Sequence, residues 1–141
     1  MREVLRTRLD SLPAPLVRTG AWLCVILLGV LSWLPSTMLK RTGLAGQIEH
    51  LFAYACAAAA LTLGYQHSPR WRLMAGLVAY AAVLEVGQLY VPGRHAAVID
   101  WAASSLGAVL GVLAMASLMQ PPPRQRPRWV IPVGRGQAKA R

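Results

Sequence analysis

Four apolar runs set the limits on what this chain can fold into. Residues 21–39 carry no charged side chain, and the interiors of three later runs are almost as clean. The runs cover about 20–35, 47–65, 71–91 and 97–119. A helix needs roughly 20 residues, range about 17–25, to cross the hydrocarbon core of a bilayer. The last three runs reach that length. The first does so only if it starts near Leu16 or continues past Pro35 to Leu39. Apolar and polar residues do not alternate along any run, so a transmembrane barrel is not supported. At 55% hydrophobic and 14% charged, the chain is too apolar for a typical soluble domain. The expectation is an all-α protein, a four-helix transmembrane bundle.

The runs are joined by short links at about 40–46, 66–70 and 92–96. Links this short make successive helices antiparallel neighbours, which gives an up-down bundle. Pro92-Gly93 is a turn signal, and Pro69 breaks the chain before the third run. Basic residues then orient the bundle. Arg2, Arg6, Arg8 and Arg18 in the leader, Arg70 and Arg72 in the second link, and the basic tail fall on one side. Only Lys40, Arg41 and Arg94 fall on the other. The excess of Lys and Arg on cytoplasmic segments places both termini in the cytoplasm. Trp22, Trp33, Tyr65, Trp71, Tyr90 and Trp101 lie near run ends, as interface anchors do.

Residues 1–18 form a basic leader. Val4, Leu5, Leu9 and Leu12 lie near helical spacing, consistent with either a short amphipathic helix ended by Pro13 and Pro15 or a frayed segment. No small-x-small cleavage site follows the first run, so a retained helix is expected rather than a signal peptide. Residues 19–119 make the transmembrane domain. Residues 120–141 are a tail rich in Pro and Arg that cannot bury enough apolar surface to fold alone. Its Arg124, Arg126, Arg128, Arg135, Lys139 and Arg141 should rest on anionic lipid head groups, at about 1 kcal/mol per basic residue. Trp129-Val130-Ile131 can dip into the interface. The net charge of +10 sits at chain ends and in links rather than as a stripe on one face, so nucleic acid is not an expected partner. Cys24 and Cys56 lie inside apolar runs without CxxC spacing, and read as small buried hydrophobes.

The polar residues inside the runs are few, and ionisable groups near lipid mark paired or functional positions. Glu49 and His50 open the second run. Glu85 and Gln88, three apart and so on one helix face, close the third. Arg94 lies in the last link, and Asp100 opens the fourth run. In an up-down bundle with internal termini, all of them approach the outer face. Asp100, Ser104, Gly107 and Gly111 are spaced four, three and four apart and form one stripe. Gly107-x-x-x-Gly111 permits close helix approach, which would carry Asp100 and Ser104 inward. His50 and Tyr54 also share a face. The expected site joins Glu49, His50, Tyr54, Glu85, Gln88, Asp100 and Ser104, with Arg94 as counter-ion. His67 and His95 read as solvated link residues, Tyr54 and Tyr80 as packing residues, and Ala57–Ala60 as a tight helix contact.

These residues carry a resemblance to the VanZ-like family of small bacterial membrane proteins, over about residues 26–113. It comprises Ser32-Trp33-Leu34-Pro35, Glu49-His50 with Ala53-Tyr54, Glu85-x-x-Gln88, Pro92-Gly93-Arg94, Asp100-Trp101 and Gly107-x-x-x-Gly111. The family pattern has Asp-Lys three to four residues before the histidine, where this chain has Gly46-Gln47. It has Asn four residues after the aspartate, where this chain has Ser104. The resemblance implies a multi-pass protein of the bacterial inner membrane that acts near the cell envelope, with an association to low-level teicoplanin resistance.

Several roles for the cluster stay open. It can bind a lipid head group, a cell-wall precursor or a glycopeptide, with Arg94 as a planar fork for phosphate or carboxylate. It can be a membrane enzyme acting on a lipid-linked substrate, with Glu49, His50, Glu85 and Asp100 as acid–base groups or hard metal ligands. No HExxH, nucleophile elbow or phosphate loop is present, so no cofactor or metal is expected and catalysis is the less favoured role. The cluster can also be structural, an Arg94–Asp100 or Arg94–Glu85 pair clamping helix ends. Transport has little support without broken helices. The oligomeric state is open.

Overall fold

The computed structural model describes residues 2–35 and 46–120. The expected basic tail, the first link up to Ala45, and any extension of the first run past Pro35 lie outside the described residues. Those described form five helices and no strand: α1 (Arg2–Asp10), α2 (Ala14–Trp33), α3 (Gly46–Gly64), α4 (Arg70–Gln88) and α5 (Val98–Met119).

Proline sets several of the boundaries. Pro15 lies in the first turn of α2, where a missing N–H breaks no helical bond. The helix therefore starts at Ala14 and reaches 20 residues without passing Pro35. The boundary drawn at residue 18 falls within it. Its end is set by Pro35, which drives the preceding residue out of the α region. Leu34 is extended, at φ −73 and ψ 136. Pro69 likewise caps the start of α4. After Gln88 the chain unwinds through successive turn bonds, from Leu89 N–H to Val86 C=O through Arg94 N–H to Val91 C=O. Gly93, at φ 74, reverses it. That left-handed conformation is cheap only for glycine, and it aims Arg94 back at the bundle.

α2 and α5 are long and apolar enough to cross a membrane, with mean hydropathies of 1.9 and 1.8. α3 and α4 have 19 residues each but fall short of that apolarity. Their ends carry Gln47, Glu49 and His50, and Arg70, Arg72, Glu85 and Gln88. Only 11% of the apolar window of α2 is buried within the protein. Ile26, Leu27 and Val30 of α2, Phe52 of α3, Val83 and Val86 of α4, and Leu106, Leu110 and Leu113 of α5 all face outward. Cys56 is exposed beside Phe52, one turn apart, rather than buried as its apolar surroundings had implied. It lies on the outer face of α3, and Cys24 is half-buried; both are free thiols.

The core is built from small residues. Ala21, Ala57, Ala58 and Ala108 are buried, around Tyr54, Leu61, Leu77 and Val112. The most extensive interface is α3 against α5, two elements apart in the chain rather than consecutive. A Cβ placed on Gly107 would fall into the Leu51 carbonyl, and one on Gly111 into that of Ala55. The expected small-residue stripe does pack inward, and it packs against bare backbone. Side chains secure the other contacts. Trp101 Nε1 donates to Val78 C=O (3.3 Å), tying α5 to α4, and the Tyr80 hydroxyl donates to Val25 C=O (2.9 Å), tying α4 to α2. Trp101 therefore docks one helix on another instead of acting only as an interface anchor. At the opposite end, Arg18 Nε donates to Gly64 C=O (3.0 Å) and its guanidinium stacks on Tyr65. Helix α1 confirms a helical leader; it touches α5 and leaves Val4 and Leu5 exposed.

Gly107→Ala and Gly111→Ala are each expected to lower stability by about 2–3 kcal/mol, since backbone rather than a flexible side chain must yield. Gly76→Ala, where a Cβ meets nothing within 4 Å, is expected to gain about 0.5–1 kcal/mol. Far-UV circular dichroism during unfolding in sodium dodecyl sulfate reads both.

Candidate functional site

Four helix ends meet around one cavity of about 480 Å³. The end of α2 supplies Leu31 and Ser32, and the start of α3 supplies Glu49, His50 and Tyr54. The end of α4 brings Glu85 and Gln88, and the start of α5 brings Asp100 and Ser104. The turn that aims Arg94 completes the rim. All eight expected site residues line this space, although they are spread over more than fifty positions of sequence.

The electrostatics follow from which helix ends these are. The first N–H groups of a helix carry partial positive charge and its last carbonyls partial negative charge. Glu49 and Asp100 lie in the first turns of α3 and α5. Glu85 Oε1 accepts the N–H of Ala97, the residue that caps α5. Arg94 instead meets a C-terminus. Its Nε donates to Leu34 C=O (3.1 Å) and its Nη2 to Leu31 C=O (2.8 Å). The expected pairing of Arg94 as counter-ion to Glu85 or Asp100 is replaced by this fork. The carbonyls left unbonded where Pro35 stops α2 are the acceptors that the guanidinium reaches.

Like Glu85, Asp100 meets a neutral donor. Gln47 Nε2 donates to Asp100 Oδ1 (2.9 Å), joining the first turns of α3 and α5. One turn deeper, Ser104 Oγ and His50 Nδ1 lie 3.3 Å apart, with the proton's position set by the imidazole tautomer. Gln88 Nε2 donates to Ser32 Oγ (2.9 Å), and Trp33 Nε1 approaches Leu84 C=O at 3.4 Å, so α4 is tied to α2 at the same level. Glu85, Gln88, Tyr54 and Ser104 are buried, while the Arg94, Asp100, Glu49 and His50 side chains are half-buried. Glu49 also has an interaction partner in the protein. His67 is exposed and outside the cavity, whereas the exposed His95 stands at its mouth.

Gln47, Ser32 and the carbonyls of Leu31 and Leu34 belong to the cluster but were not among the expected site residues. Ser32 sits in an otherwise apolar run and opens the Ser32-Trp33-Leu34-Pro35 motif of the resemblance, but its lone hydroxyl was not assigned to the site. The carbonyls carried no signal, because backbone groups become distinctive only where a helix stops. Among the described residues, no group of three His, Cys, Asp or Glu is placed to hold a metal ion. No family model matches the chain, and no curated protein or solved structure matches it either.

Arg94→Ala is expected to lower stability by about 2 kcal/mol through loss of two charge-assisted bonds. Arg94→Lys should recover less than half of that, because an ammonium lacks the planar fork that spans two carbonyls. Denaturant titration of the purified variants measures the difference.

Proposed function

We propose that α2 to α5 form a transmembrane bundle with both termini in the cytoplasm, and that the cavity opens at the outer face and binds a component of the bacterial cell envelope. The single observation that carries this is the convergence of the polar residues of α3, α4 and α5 on one cavity at one end of otherwise apolar helices. Buried polar groups that converge on a cavity mark a binding site by default, and ionisable ones beside apolar surface do so more strongly. The outward-facing leucines, valines and isoleucines support lipid as the surroundings, and the distribution of Lys and Arg supports the orientation. The resemblance to the VanZ-like family points the same way, to the inner membrane and to glycopeptide sensitivity. Gln47 and Ser104 stand where that family has Lys and Asn. Each still bonds a neighbour in the cluster, Asp100 and His50 respectively, so the polar connections are kept.

A purely structural role is the second reading, favoured by the fork of Arg94 on the α2 carbonyls. One experiment separates the two, and a second tests the orientation. In a deletion strain, wild-type protein is expected to restore teicoplanin tolerance. Asp100→Ala should reach the membrane at normal levels yet fail to restore it. A structural role predicts that the variant is lost from the membrane instead. For orientation, His95→Cys in a Cys24→Ser, Cys56→Ser background should react with a membrane-impermeant maleimide in intact spheroplasts. Reaction only after lysis would put the cavity in the cytosol and end the proposal.

A further inference from the structure

We infer that the cavity receives a primary ammonium group rather than a phosphate or carboxylate; this rests on reading the cavity as a ligand site. Arg94 is the guanidinium that an anion would need. It already donates through Nε and Nη2 to Leu34 and Leu31, which holds it against the end of α2. The carboxylates are differently placed. Glu85 is only 8% exposed and lines the cavity, yet the partner of its Oε1 is the uncharged Ala97 N–H. Asp100 Oδ1 is met by the uncharged Gln47 amide. The second oxygen of each has no hydrogen-bond partner among the described residues.

Tyr54 supplies the independent sign. It is 3% exposed and lines the same cavity, and its hydroxyl has no hydrogen-bond partner among the described residues. The other tyrosine of this region, Tyr80, is satisfied by Val25 C=O. Gln88 donates its amide N–H to Ser32 and so turns its carbonyl oxygen into a further acceptor. Apart from the remaining N–H groups of Arg94 and the His50 ring, the groups left over among the described residues of the cavity are acceptors, or a hydroxyl that can act as one. An alkylammonium has three N–H donors and no acceptor, which matches this set. A phosphate would meet three carboxylates, Glu49, Glu85 and Asp100, with the already engaged Arg94 as the one guanidinium among the described lining residues, and repulsion between like charges this close is poorly screened inside a protein. Leu28, Ala53, Ala81 and Leu84 line the rest of the cavity and suit the carbon chain that bears the amine. An ethanolamine lipid head group and a soluble amine share this chemistry.

The test uses the full chain in phosphatidylcholine nanodiscs, titrated with hexylamine, hexanol and hexanoate and followed by tryptophan fluorescence. Hexylamine is expected to bind saturably and at least tenfold more tightly than the other two. Glu85→Gln should weaken it about tenfold and Tyr54→Phe about threefold, with helical content retained. If Glu85→Gln loses its helical signal, the ranking of the three probes on wild-type protein still decides. Hexanoate binding as tightly as hexylamine overturns the ammonium assignment and leaves the ligand-site reading standing. No saturable response to any probe overturns both. When phosphatidylethanolamine replaces phosphatidylcholine, a weakened hexylamine response marks the lipid head group as the source. An unchanged response marks a soluble amine.

Discussion

The contact of α5 with the bare backbone of α3 is the constraint on which the rest of the structure depends. Gly107 and Gly111 let the two helices approach until a Cβ would collide with the Leu51 and Ala55 carbonyls. In the proposed lipid surroundings there is little hydrophobic gain in bringing helices together, and close packing of small residues takes its place. Because α3 and α5 run in the same direction, that contact also aligns their first turns. Gln47 then reaches Asp100, and His50 reaches Ser104.

The polar end of the molecule is a meeting of helix termini. Two N-termini, those of α3 and α5, collect the carboxylates, and one C-terminus, that of α2, collects the guanidinium. Both follow from the same unpaired backbone groups. For Glu85, Asp100 and Arg94 the bonds among the described residues thus follow the local dipoles. The acids face the cavity, while the base at its rim is engaged in holding the end of a helix. This arrangement gives the cavity its acceptor-rich character.

Much of the fold could be read from the chain itself. Apolar runs of helical length, Pro35 and Pro69 at boundaries, and Pro92-Gly93 at the tight turn gave the long helices to within a few residues. The start of α2 was left open between Leu16 and the end of the leader, because Leu16 and Val17 sit beside prolines and Arg18, and composition could not tell a helix's first turn from a leader. The site was legible wherever a polar side chain interrupted an apolar run, as at Glu49, Glu85, Gln88 and Asp100. It was not legible where the partner was a carbonyl, as for Arg94, or a single hydroxyl, as for Ser32.

The sequence by itself determined that the chain is helical, that two of its long helices are apolar enough to cross a membrane, and that polar residues gather near the ends of the runs. Residue chemistry and periodicity suffice for that, since each is a property of a single helix. Only the tertiary structure decided that α3 pairs with α5 rather than with a sequence neighbour, that Arg94 grips α2, and that Glu85 and Tyr54 face the same space. Those outcomes depend on distances between helices. Such distances are set by how closely two backbones can approach, which no single segment encodes.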